Sequence, residues 1–243
     1  MSTAPIADVH ARRGEEDAHG RAARRMFDRI APTYDTVNQV MSAGTDGRWR
    51  ARAVAELEGA PPGPVLDLCA GTMDLTALVA RARPSTRVVA VDFSPEMLEH
   101  GRSKAPHAEA IVADATSLPF TDGEFAAVVC GFGIRNLADT RLGAAEVRRV
   151  LRPGGVFVTL ELFRASRLVT RAFHRAYARV VLPALGGWLS GDRDAYEYLA
   201  RSMAGFFTRT EYENALLDVG FTRVRGFDLT FGVASIVVGE VSK

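Results

Sequence analysis

The chain is poor in the side chains that metal, disulfide or histidine chemistry requires. Its 243 residues include two cysteines and five histidines. Cys69 and Cys130 each close a short apolar run, so they read as small buried hydrophobes, and neither a disulfide nor a metal site is expected. His10 and His19 lie in a polar N-terminal stretch, His100 and His107 in or after a helical segment, and His174 in a basic one, so histidine is not the expected base. No run of about 18 apolar residues occurs, which removes a spanning helix from the expectations. Charge of one sign is missing too: 30 basic and 29 acidic residues leave a net charge of +1, which gives no footprint for nucleic acid. Residues 1–25 lack the apolar stretch of a secretory signal, and a cytoplasmic enzyme is expected.

What is present is apolar and regularly ordered. Hydrophobic residues make up 47% of the chain, enough for the core of one α/β domain. Residues 1–20, with few large apolar side chains, read as a disordered tail, and 21–243 as a single domain. Within it, 21–60 reads as a helical lid broken near Pro32 and Gly44, and 163–205 as a helical insertion facing substrate or membrane. Strands are expected at Val65–Cys69, Val88–Asp92, Ala110–Ala113, Ala126–Cys130 and Val156–Leu160, with helices at Leu75–Arg83, Pro95–Lys104 and Arg141–Leu151 between them. Such alternation means a parallel sheet with right-handed crossovers. Arg152-Pro-Gly-Gly155 reads as a tight turn into the last of these strands. Thr208–Asp218 is a further helix with Thr208 as its cap. Two closing strands, Val224–Leu229 and Ala234–Val241, complete a Rossmann-like, doubly wound, seven-stranded, mostly parallel sheet with one antiparallel edge strand.

The first strand runs straight into a glycine turn and a helix, Asp67-Leu-Cys-Ala-Gly-Thr-Met73, and the second ends on Asp92. That is a βαβ unit suited to a nucleoside cofactor. Of the usual glycines only Gly71 is present, and Met73 would crowd a pyrophosphate against the helix N-terminus. S-adenosyl-L-methionine, which has no phosphates, fits better. Asp92 can take both ribose hydroxyls. Asp114-Ala115 can meet the adenine. Asp67 and the amides of Gly71-Thr72 can hold the methionine end. Cys130 and the loop after it lie where the methyl group would emerge.

Further strings are more specific. Phe27-Asp-Arg-Ile-Ala-Pro-Thr-Tyr-Asp35, Asn38-Gln-Val-Met-Ser42, Arg48-Trp49-Arg50, Leu118-Pro-Phe120, Gly131-Phe-Gly-Ile-Arg-Asn136, Arg149-Val-Leu-Arg-Pro-Gly-Gly155 and Tyr196-Glu-Tyr-Leu199 together resemble the menaquinone/ubiquinone biosynthesis C-methyltransferase family over residues 24–232. The resemblance implies a class I methyltransferase that places a methyl group on the ring of a polyprenylated quinol, most simply demethylmenaquinol. It implies cofactor contacts at Thr72, Asp92, Asp114, Ala115 and Cys130, and a quinol-facing pair at Arg135 and Asn136. The chain departs from the family at Met73, where glycine is usual, at Cys130, where serine is usual, and in its C-terminal ending. These departures keep a soluble aromatic or polyketide metabolite as the alternative substrate.

A ring carbon becomes a good nucleophile when a neighbouring hydroxyl ionises, and a guanidinium favours that form. Arg135 is therefore the expected activator and Asn136 the orienting group, with water near Asp92, Arg135 and Asn136 as the proton acceptor. Tyr34 belongs to the lid over the cofactor. Arg164, Arg167, Arg171, Arg175 and Arg179 lie in an acid-free segment, most of them four residues apart, and form a basic stripe that suits an anionic membrane surface. Peripheral contact with a membrane's inner face and a homodimer complete the expected partners.

Overall fold

The computed structural model describes residues 7–8, 18–165 and 193–243. Helix α1 (Ala18–Met41) leads to α2 (Asp46–Ala55). Strands and helices then alternate: β2 (Val65–Leu68), α3 (Asp74–Ala82), β3 (Val88–Asp92), α4 (Pro95–Gly101), β4 (Glu109–Val112), β5 (Phe125–Gly131), α5 (Thr140–Val150) and β6 (Leu151–Glu161). After α6 (Arg193–Gly205) and α7 (Arg209–Asp218), β7 (Arg223–Leu229) and β8 (Ala234–Glu240) end the fold. A short strand β1 (Ala7–Asp8) precedes them all.

The sheet runs β1-β4-β3-β2-β5-β6-β8-β7. Every neighbouring pair is parallel except β6 with β8 and β7 with β8, so the antiparallel pairing sits at one edge of the sheet. Order reverses between β2, which continues through β3 and β4 on one side, and β5, which continues through β6 on the other. The carboxyl ends of the strands around such a switch point form the crevice in which doubly wound sheets bind ligands. Alternate residues of each strand go to opposite faces. Leu66, Val91, Val128 and Phe157 pack under α5 and α7, whereas Val65, Val88, Val129 and Val158 pack under α2 and α3.

Local chemistry sets the helix starts. Ser94 caps α4 by accepting the Met97 amide at 3.1 Å, with Pro95 next in the first turn. Asp139 accepts the Arg141 and Leu142 amides at the head of α5. Thr208 and Glu211 form the reciprocal capping box of α7.

Three expectations need revision. The first helix does not break at Pro32 but runs through it. Proline leaves the carbonyl one turn back without its amide and crowds it. Packing on both sides of the proline holds the helix together, since Met26, Phe27 and Ala31 are buried against Met97, with Tyr34, Phe93 and Tyr198 beside them. Arg152–Gly155 is not a free turn but a bulge within β6: Leu151 pairs with Phe125 and Val156 with Ala127, so extra residues loop out on the β6 side. Ala7–Asp8, inside the stretch read as a disordered tail, pairs with Ile111–Val112.

Candidate active site

The cofactor end is built by two loops locked to each other. After β2 the chain passes through three left-handed residues, Cys69 (φ 55), Gly71 (φ 52) and Met73 (φ 61), before α3 begins. Glycine takes such angles without penalty; the other two are held in them by their surroundings. The Gly71 amide donates to Asp92 Oδ2 at 2.8 Å, and the Ser94 amide donates to Asp92 Oδ1 at 2.9 Å. Burial pushes the Asp92 carboxyl up to about 6, against the pull of these backbone donors. Asp114 is fixed by the Thr116 amide (2.8 Å) and hydroxyl (2.7 Å). Tyr34 of α1 leans over the turn, its Cε1 4.0 Å from where a side chain on Gly71 would begin. Burial raises the Tyr34 phenol above its ordinary value. Gly71, Asp92, Asp114, Ala115, Tyr34 and Asn136 share the wall of one cavity of about 310 Å³.

Helix α1 is tied down where it crosses this cavity. The Ser94 hydroxyl donates to Asp28 at 2.6 Å, and the Thr72 hydroxyl donates to Asp35 at 2.5 Å. Lys104 reaches Asp35 and Asp74 at 2.5 and 2.7 Å. Thr72 therefore fastens the lid rather than lining the cavity.

Other expected contacts lie behind the wall. Asp67 is wholly buried beneath it; its Oδ2 accepts the Thr76 hydroxyl at 2.6 Å, and its Oδ1 has no partner. Burial carries its carboxyl up to about 7. Cys130 is fully buried, and it is Cys69 that reaches the wall. The hydrogen bond between the two thiols, with burial adding, holds Cys69 well above the usual thiol range. Met73, expected to crowd a pyrophosphate, does not line the cavity. Its side chain packs into the core with Ala77, Ala90, Leu98 and Val112. Gly101 of α4 makes room, because a Cβ there would lie 2.4 Å from the Thr72 carbonyl carbon and 2.8 Å from Met73 Cβ.

The second end follows β5. Phe132 takes a left-handed φ of 60°, and Gly133 passes so close to Cys69 that a Cβ on it would sit 2.3 Å from Cys69 Cβ. A single 3-10 turn, Ile134–Asn136, then presents the expected pair. Arg135 Nη1 donates to Glu161 Oε1 at 2.7 Å and to the Phe132 carbonyl. Burial opposes the guanidinium charge, but Glu161, with Tyr34 and Tyr198 adding to it, holds Arg135 above its ordinary value. Arg135 Nε and Asn136 Oδ1, one donor and one acceptor, are buried without partners. Asn136 lines both the cofactor cavity and a larger one, of about 1080 Å³, that Arg135, Tyr198, Phe206 and Phe207 also line. Glu161, which ends β6 fully buried, was missed from the sequence. Its signal was there: an acidic residue closing an apolar strand, as Asp92 does. Of the basic stripe, Arg164 is described and is paired with Glu211 at 2.7 Å; Arg167, Arg171, Arg175 and Arg179 lie outside the described residues.

Solved structures of similar fold are methyltransferases. One from Thermotoga maritima, described as a SAM-dependent methyltransferase, superposes with a TM-score of 0.65 at 17% identity, covering 89% of this chain and 98% of its own. Sheet order and this superposition show the fold of class I S-adenosylmethionine-dependent methyltransferases. Within that class, the model of the ubiE/COQ5 methyltransferase family matches residues 15–240, and the chain belongs to that family. The demethylmenaquinone methyltransferase of Thermus thermophilus is 42% identical over 219 residues, 88% of this chain and 99% of its own. The ubiquinone/menaquinone biosynthesis C-methyltransferase UbiE of Geotalea uraniireducens is 39% identical over 228 residues, 91% and 97% of the two chains.

Proposed function

We propose that the protein methylates a ring carbon of a polyprenylated quinol of the demethylmenaquinol type. The observation that carries this reading is a donor and an acceptor left partnerless on consecutive residues, Arg135 Nε and Asn136 Oδ1, with Arg135 lining the larger cavity and Asn136 lining both. A quinol hydroxyl needs one donor to steady the oxygen as it ionises and one acceptor to aim its proton, and buried polar groups left unpaired await such a partner. The names of the relatives favour the same ring chemistry.

Bound S-adenosylmethionine supplies an electrophilic methyl group on a sulfonium. Asp92 would hold its ribose, and Asp114 and Ala115 its adenine, while Asp67 stands behind the wall. Arg135 lowers the pKa of the quinol hydroxyl from the phenolic value of about 10 and stabilises charge that develops on its oxygen. Asn136 fixes the ring so that one carbon faces the cofactor cavity. Tyr34 and Tyr198, both raised by burial, keep their protons near neutrality and act as walls and donors, not bases. The ring proton leaves through water held beside Asp92, Arg135 and Asn136. Helix α1 closes the cavity and keeps bulk solvent from the sulfonium.

No helix among the described residues is long and apolar enough to cross a membrane. The reading brings the enzyme to its lipophilic substrate by surface contact through Arg167, Arg171, Arg175 and Arg179, with Arg164 already engaged by Glu211. The test is direct. Purified protein with S-adenosylmethionine and reduced demethylmenaquinone in vesicles should yield the ring-methylated quinone by mass spectrometry. Methylation of a tail-less phenolic metabolite, with none of the quinol, would overturn the reading in favour of a soluble substrate.

A further inference from the structure

We infer that Glu161 is the positioning residue of the reaction: it fixes the Arg135 side chain at both ends, so that the remaining N–H donors of the guanidinium keep one orientation before the quinol arrives. The inference rests on the quinol reading for the identity of the ring and on geometry for the rest. Glu161 Oε1 accepts Arg135 Nη1 at 2.7 Å, while Oε2 accepts the Arg135 backbone amide at 3.3 Å. One carboxylate thus grips the start and the tip of a single side chain, and the torsions between them are held. Its remaining bond is from the adjacent Leu162 amide at 2.7 Å, which ties it to its own strand end. The Phe132 carbonyl takes a second proton of Nη1. Nε, in contrast, is buried and partnerless beside an equally partnerless Asn136 Oδ1.

An arginine free to rotate would offer the ring any of five donors and would lose considerable rotamer freedom on each binding event. With Nη1 occupied, Nε and Nη2 are the donors that remain, held in one orientation by the grip on Nη1. The carboxylate also lets a guanidinium sit buried without being solvated by the substrate pocket. A strut joining distant elements would spread its bonds over several residues. Glu161 places its side-chain bonds on Arg135 and on the amide next to itself.

The test is Glu161→Gln, which keeps shape and one acceptor oxygen but loses the charge and one grip. Turnover of demethylmenaquinol should fall by at least about tenfold, the scale expected when a reacting group is slightly misplaced. The dissociation constant for S-adenosylmethionine should stay within about twofold. In the Arg135→Ala background, adding Glu161→Gln should produce no further loss, because a positioning residue has nothing left to position. In protein labelled with 15N-arginine, the Arg135 Nε–Hε signal, identified by its disappearance in Arg135→Ala, should be sharp in the wild type and broadened by rotation in Glu161→Gln. Unchanged turnover in Glu161→Gln overturns the inference, as does a loss in the double variant equal to the product of the single losses, or an unbroadened signal. The NMR comparison needs no substrate. It therefore stays decisive if the wild-type enzyme leaves the quinol unmethylated, an outcome that sinks the substrate reading alone.

Discussion

Asp92 shows how one side chain can build a pocket and serve it. Its two oxygens already take the Gly71 and Ser94 amides, which fixes the glycine turn after β2 to the head of α4. Lone pairs remain on both oxygens for ribose hydroxyls. Asp92→Ala should weaken S-adenosylmethionine binding by at least about a hundredfold, since charge-assisted bonds contribute about 1.5–3 kcal/mol each. It should also lower the melting temperature, because two buried amides lose their acceptor. Titration calorimetry with wild-type affinity would remove Asp92 from the site. At this scale the sequence was legible wherever a residue's place at a strand end decides its exposure, as for Asp92, Asp114, Ala115 and Asn136. It was not legible for Thr72, Cys130 and Met73. Spacing locates a left-handed turn but not which way each side chain leaves it: Thr72 goes to the lid, Cys130 under Cys69 and Met73 into the core.

Between β5 and α5, the loop from Gly131 to Asn136 is aimed by close approach. Gly133 rides on Cys69 with no space for a methyl group, and the reactive pair follows two and three residues later. Gly133→Ala must push this loop away from β2. Turnover should drop about a hundredfold, while cofactor affinity, to which this loop adds only Gly131–Gly133 and Asn136–Ala138 of a wall that also holds Gly71, Asp92 and Asp114, should fall less. Steady-state kinetics beside calorimetry separates the two; an equal loss in both would mean that the loop shapes the cofactor cavity instead. Element boundaries inside the alternating βα stretch were readable because burial imposes its period on the residues. Failures came where tertiary contacts override local rules. Pro32 survives inside α1 because buried Met26, Phe27 and Ala31 before it and half-buried Tyr34 after it pack against one cluster. The Pro-Gly-Gly of the β6 bulge loops out, and pairing resumes at Val156 because β5 and β8 flank the strand from there.

The molecule as a whole stores two carboxyls where charge is expensive. Asp67 titrates at about 7 and Asp92 at about 6, both above the unfolded value of about 3.9. A folded state that binds protons more tightly than the unfolded one gains stability as pH falls toward that unfolded value. Between about pH 4 and pH 7, then, these two residues make the cofactor-free protein less stable as pH rises. Paired surface carboxylates such as Glu211, held at about 2, are ionised in both states above about pH 5.5 and so add little slope there. Scanning calorimetry should find the cofactor-free protein melting a few degrees higher at about pH 5.5 than at about pH 7.5. Saturating S-adenosylmethionine should shrink the gap by giving Asp92 partners. A flat or reversed profile would mean that water already solvates both groups. The global order of strands was legible through the alternation of elements; the one feature it could not show was that β8, last in the chain, is not last in the sheet.

That placement has a consequence for synthesis. Residues 234–240 fill the slot between β6 and β7, so the sheet cannot close while they are still inside the ribosome. Until then β6 carries a bare row of amides and carbonyls beside Val156, Val158 and Leu160, the kind of open edge that recruits other strands. Until residues 234–240 pair there, that edge is where wrong strand pairing would begin.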